Sequence, residues 1–118
     1  MKFICLVYGD ETMFQSFTKE ASAKLDADSV AYDRSLEASG KLVAAEALQS
    51  VRTSKLVRRR GGKTLVTDGP FAETKEQLLG FVMIDASDLE DALKIAAGIP
   101  LAALGSVEVR AVYDVPGS

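Results

Sequence analysis

Residues 2 to 8 are apolar at nearly every position, which predicts a strand covered on both faces and therefore central in its sheet. Gly9-Asp10-Glu11 breaks that run, and a polar stretch carrying Phe14 and Phe17 leads into a helix placed at about 18 to 39. Leu25, Ser29, Tyr32 and Leu36 fall four, three and four apart, which is one face of that helix, and Gly40 supplies its left-handed stop. Residues 42 to 48, 54 to 60 and 63 to 67 read as three strands, the last two joined by a hairpin turn at Arg60-Gly61-Gly62-Lys63.

Asp68-Gly69-Pro70 is a strong break, and residues 78 to 86 form another nearly continuous apolar strand. Ser87-Asp88-Leu89-Glu90 has the S-x-x-E spacing of a capping box. Leu89, Ala92, Leu93 and Ala96 then predict the inward stripe of a short helix closed by Gly98 and Pro100. The last strand, 106 to 113, alternates Val107, Val109, Ala111 and Tyr113 against Glu108, Arg110 and Val112.

The order is thus β-α-β-β-β-β-α-β, an α+β chain with a ferredoxin-like unit and an inserted β-hairpin, read as one domain over 1–118 with an ordered core of about 1–114. Two amphipathic helices cover only one face of such a sheet. The first and fifth strands are apolar on both faces, so the second face calls for a cover. Pairing with a second copy is the simplest cover and predicts a homodimer, a dimeric α+β barrel; the alternative is an exposed apolar ligand groove.

A chain of 118 residues, 47% hydrophobic and 26% charged, has material for one core, and a net charge of -3 of mixed sign offers no basic field for nucleic acid. The run around Phe3 to Val7 is too short for a signal peptide or a membrane span, so the expectation is a cytoplasmic protein away from the membrane. The single cysteine, Cys5, excludes an internal disulfide and reads as a small buried hydrophobe. There is no histidine, which excludes a His-Asp acid–base pair and any His-ligated metal site; no metal and no cofactor is expected.

Tyr8-Gly9-Asp10-Glu11, the string VTDGPFAETKEQL from Val66 to Leu78, Gly80-Phe81 and Val107-Glu108-Val109-Arg110 form an ordered set along the chain. On these motifs the sequence resembles the DGPF branch of the YCII-related family from Met1 to about Tyr113. The resemblance implies the ferredoxin-like fold, the dimeric barrel and a pocket near the DGPF loop, where Phe71 is a ligand-binding candidate. It also implies a link to extracytoplasmic-function sigma factors, which some relatives are encoded beside or fused to. The YCII proteins proper carry a His-Asp pair proposed to work as acid and base, and one member acts as a dehydrochlorinase; this chain has no histidine to supply that pair. Leu79 stands where relatives often have a second glycine, a change expected to narrow space beside the loop.

Read from the residues, Asp68 is the candidate catalytic acid or base, a carboxylate at a strand end beside Gly69 and Pro70; a turn residue accepting backbone N–H bonds is its bland counterpart. Arg58 shares a strand face with Ser54 and Leu56 and has the bidentate fork to clamp a carboxylate. Glu46 is one ionisable group on a face otherwise made by Leu42, Ala44 and Leu48. Arg110 and Glu108 lie on the face that the predicted fold turns toward the partner, and Tyr8 places a phenol at the end of a central strand. Two functions follow: a ligand-binding or regulatory module, or a small-molecule enzyme of the acid–base lyase, isomerase or dehydrochlorinase type using Asp68.

Overall fold

The computed structural model describes residues 1–69 and 74–118. Among them are strands β1 (Lys2–Gly9), β2 (Leu42–Ala47), β3 (Lys55–Arg60), β4 (Lys63–Asp68), β5 (Gln77–Asp85) and β6 (Ser106–Ala111). The helices are α1 (Glu11–Gln15), α2 (Lys19–Ala38) and α3 (Leu89–Ala97). Four strands form one antiparallel sheet in the order β2-β5-β1-β6, and β3 and β4 form a separate two-stranded ribbon. With that ribbon set aside, the chain runs β-α-β-β-α-β with its first and third strands central, compatible with a ferredoxin-like α+β fold.

The apolar runs became the two central strands, as expected, although only one face of each is covered. On β1, Phe3, Cys5 and Val7 are buried beneath the helices while Ile4, Leu6 and Tyr8 on the other face are only half-buried. On β5, Val82 and Ile84 join the same core, which Leu36 of α2 and Ala92, Ile95 and Ala96 of α3 close from above. The molecule is only 19 Å through its thin dimension, one sheet plus one helix layer.

Local signals account for the element ends. The Thr18 side chain accepts the Ala21 N–H at 3.0 Å to start α2, and Gly40, at φ +75°, lies just past its end. Gly61 and Gly62 both take positive φ, the two-residue turn that the right-handed twist of a hairpin demands.

Five expectations need correction. The cap of α3 is Asp88, not Ser87: Asp88 Oδ1 accepts the Asp91 N–H at 2.8 Å and Asp91 Oδ2 accepts the Ser87 N–H at 3.0 Å, so the reciprocal pair is shifted one residue and Glu90 takes no part. The inward stripe of α3 is Ala92, Ile95 and Ala96, while Leu89 and Leu93 are 54% and 50% exposed. Small residues let the helix lie close to the sheet, which two leucines would prevent. A register shift between Leu42 and Ala44 turns Leu42 toward the core beside Ile84 and leaves Ala44 and Glu46 on the opposite face beside Met83 and Phe81, so Glu46 does not share Leu42's face. Finally, β6 ends at Ala111 and Tyr113 lies outside it, and the polar stretch after Gly9 holds the short helix α1, whose cap is the Asp10 side chain on the Thr12 N–H at 2.9 Å.

Candidate functional site

Strand register assembles the face of the sheet opposite the helices. One row across it runs Glu46, Phe81, Leu6 and Glu108; the next runs Ala44, Met83, Ile4 and Arg110. Tyr8 lies one step further along β1, opposite Leu78 and Ser106. Three residues singled out from the sequence, Tyr8, Glu46 and Arg110, therefore share one surface, with Ile4, Leu6, Phe81 and Met83 forming its apolar floor.

At one side of that floor is a polar trio. The Tyr8 hydroxyl donates to Glu108 Oε1 at 3.3 Å, and Arg110 Nε donates to Glu108 Oε2 at 2.5 Å. The hydrogen bond from Arg110 holds the Glu108 carboxyl below its usual range, while partial burial and then the Glu108 charge push the Tyr8 phenol up. At neutral pH the trio is a neutral phenol, a carboxylate and a guanidinium whose remaining N–H groups face outward, a set suited to gripping a ligand carboxylate or hydroxyl. Ser106 Oγ donates to Glu76 Oε1 at 2.8 Å, which ties the segment following the DGPF string to the strand that carries the trio.

The hairpin residues lie elsewhere. Lys55 stands directly opposite Asp68 and Leu65 opposite Arg58, so the Asp68 and Arg58 side chains occupy opposite faces of the ribbon. Asp68 is ion-paired with Lys55, and its side chain is 82% exposed; the hydrogen bond from Lys55 holds its carboxyl below the usual range. Gly69 N–H donates to the Ser54 carbonyl at 2.9 Å, closing the ribbon at its base. Phe71 lies outside the described residues.

A second concavity, of about 400 Å3, lies on the helix-covered side between α2 and the β2–β5 edge. Its lining includes Glu46, Ser29, which the sequence reading placed on the inward stripe of α2, and Asp26 and Asp33, which it did not single out. Asp26 and Asp33 flank the stripe of α2 and look like ordinary solvated positions; the available signal was their spacing of three and four from Ser29, which sets them on its face. Leu79, the extra residue at the β1–β5 irregularity, lines this cleft.

Among the described residues no three acidic or cysteine side chains gather as a metal site, and no helix is long and apolar enough to cross a membrane. The profile of the YCII-related domain matches residues 1–116. The chain belongs to the YCII-related family. It is similar to an uncharacterised protein of Rhizobium meliloti (strain 1021), 39% identical over 112 residues, a span that covers 93% of this chain and 90% of that relative. Among the described residues of this YCII-related chain, Tyr8, Glu108 and Arg110 are joined by hydrogen bonds on the sheet face.

Proposed function

We propose that this YCII-related chain, a single domain over 1–118, works in the cytoplasm as a homodimer joined sheet to sheet as a dimeric α+β barrel. In this reading it is a ligand-binding or regulatory module whose site lies between the two sheets, at the end nearest the DGPF loop. The observation that carries it is the uncovered apolar face of β1 and β5 with the Tyr8–Glu108–Arg110 trio built into it. A second copy buries Ile4, Leu6, Phe81 and Met83, and the trio then stands at the edge of an enclosed space where a guanidinium and a phenol orient a small aromatic or carboxylated molecule. Glu46 lines the far side of the same space, and the regulatory form of this reading takes in the sigma-factor partner that the family resemblance implies. The lyase or isomerase alternative rests on Asp68, whose exposed ion pair with Lys55 is poor support for acid–base work.

Light scattering at micromolar concentration tests the dimer, with twice the chain mass of 12.6 kDa expected and a Leu6→Asp variant expected at the single mass. Thermal shift with benzoate and related aromatic acids tests the site. A ligand at a hundred times its dissociation constant stabilises by about 2.7 kcal/mol, and the shift should vanish in Arg110→Gln but persist in Asp68→Asn. A monodisperse monomer defeats the reading.

A further inference from the structure

The β3–β4 ribbon is the part of the fold that the four-stranded sheet does not use. Neither of its strands is hydrogen-bonded to that sheet, and every residue of β4 is exposed. Val57 and Val66 stand directly opposite each other and are 65% and 61% exposed. A two-stranded hairpin is at best marginally stable alone in water, so this ribbon needs a surface to lie on. The chain is accordingly less compact than its length allows, with a radius of gyration of 16.3 Å where a compact domain of this size has about 13.5 Å.

Charge says what kind of surface fits. Residues 55 to 68 carry Lys55, Arg58, Arg59, Arg60 and Lys63 against Asp68 alone, a net +4, which leaves -7 for the rest of a chain whose total is -3. Lys55 pairs with Asp68 at the root of the ribbon, whereas Arg59, Arg60 and Lys63, toward the turn, have no ion pair among the described residues. A cationic arm on an acidic body is complementary to the acidic body of another copy. Nucleic acid fits less well, because that body repels phosphates and the Val57–Val66 pair finds no apolar partner on a phosphate backbone. Position agrees with charge. The ribbon leaves after Ala47 of β2 and returns into β5 at Gln77, at the sheet end that holds Tyr8 and Gly9, so its root adjoins the face proposed to meet a second copy. Its six-residue strands span about 20 Å and stacked sheets lie about 10 Å apart, so the arm is long enough to cross.

We propose that the β3–β4 ribbon is an arm that clasps a second copy of this chain, with Val57 and Val66 packed on it and Arg59, Arg60 and Lys63 meeting its carboxylates, while the Lys55–Asp68 pair at the root stays in solvent. Resting on the sheet-to-sheet dimer, the arm adds a contact that the sheets do not make.

The test is zero-length carbodiimide coupling of a mixture of unlabelled and isotope-labelled chains, read by mass spectrometry. Lys63 should couple to carboxylates of the other copy, giving mixed-label products that vanish in Leu6→Asp, the variant expected to be monomeric. The double variant Val57→Thr with Val66→Thr keeps β-branched residues in the ribbon and should raise the dimer dissociation constant about tenfold. Arg59→Gln should flatten its dependence on salt. A wild-type dimer whose Lys63 couples only within its own chain, or whose dissociation constant ignores the double variant, would overturn the arm and leave the sheet-to-sheet dimer standing; a wild-type monomer would overturn both. Duplex DNA bound by the wild type and released in Arg59→Gln, without mixed-label products, would also overturn it and make the ribbon a nucleic-acid arm.

Discussion

The hydroxyl of Tyr32 occupies the space that a side chain at Gly98 would need: a Cβ there would lie 2.3 Å from that oxygen and 2.6 Å from the ring carbon bearing it. The same hydroxyl donates to the Ile95 carbonyl at 2.6 Å, so the end of α3 is fastened to the middle of α2 through one phenol. Gly98→Ala should therefore cost about 1–3 kcal/mol by overpacking, and Tyr32→Phe about 1 kcal/mol by loss of the bond. Because the added methyl displaces the hydroxyl from Ile95, the two costs should fall short of additive by at least about 0.5 kcal/mol in the double variant. Urea denaturation of the three variants measures this, and simple additivity would mean that the hydroxyl bond survives the methyl.

The cap of α3 gives a sharper local test. Asp88→Ala should destabilise by about 1 kcal/mol, as loss of an N-cap does, whereas Glu90→Ala should stay within about 0.5 kcal/mol. The reverse order in denaturant midpoints would return the cap to the Ser87–Glu90 box.

That one-residue displacement illustrates what the sequence carried and what it did not. The central strands β1 and β5 were legible because apolar side chains on both faces leave no polar alternation, and the Gly61-Gly62 turn marked the hairpin. The facing of α3 was not, because Leu89 and Leu93 outrank alanine in hydropathy while the close helix-to-sheet approach selects for size. For the candidate site, alternation along β1 and β6 put Tyr8 and Arg110 on one face, but the irregularity at Leu42–Ala44 that adds Glu46 has no local signal. The separation of Arg58 from Asp68 was available in principle: a two-residue turn fixes the pairing of every residue behind it, and that register sets the two side chains on opposite faces. The α2 cleft was hidden because its acids look like a solvated flank until β2 and β5 are laid beneath them.

Cys5 is fully buried between Val82 and Val109 on the neighbouring strands, and burial pushes its thiol up, so the nucleophilic thiolate is scarce and inaccessible. A thiol reagent should titrate the native chain far more slowly than the denatured chain, even at mildly alkaline pH. Cys5→Ser should cost about 1–3 kcal/mol for burying a hydroxyl in an apolar strand core. Native labelling as fast as that in denaturant would show that β1 opens readily.

The last prediction concerns Asp68 and separates a charge that holds the hairpin from one that serves a site. Lys55 depresses its carboxyl, so any contribution to stability exists above the ordinary carboxylate pKa of about 3.9 and is lost as pH falls through the lower folded value. The sign is therefore fixed: wild type should match or slightly exceed Asp68→Asn at neutral pH, and the two should converge at strongly acid pH. Since both partners are largely exposed, the neutral-pH difference should be small and should shrink further when salt is raised to about 1 M, where the screening length is about 3 Å. Thermal midpoints across pH and salt measure it. A difference that is large, or that survives salt, would mean that Asp68 is buried in the working protein, as a second copy closing over the ribbon would make it. Asp68 would then return as a candidate for chemistry.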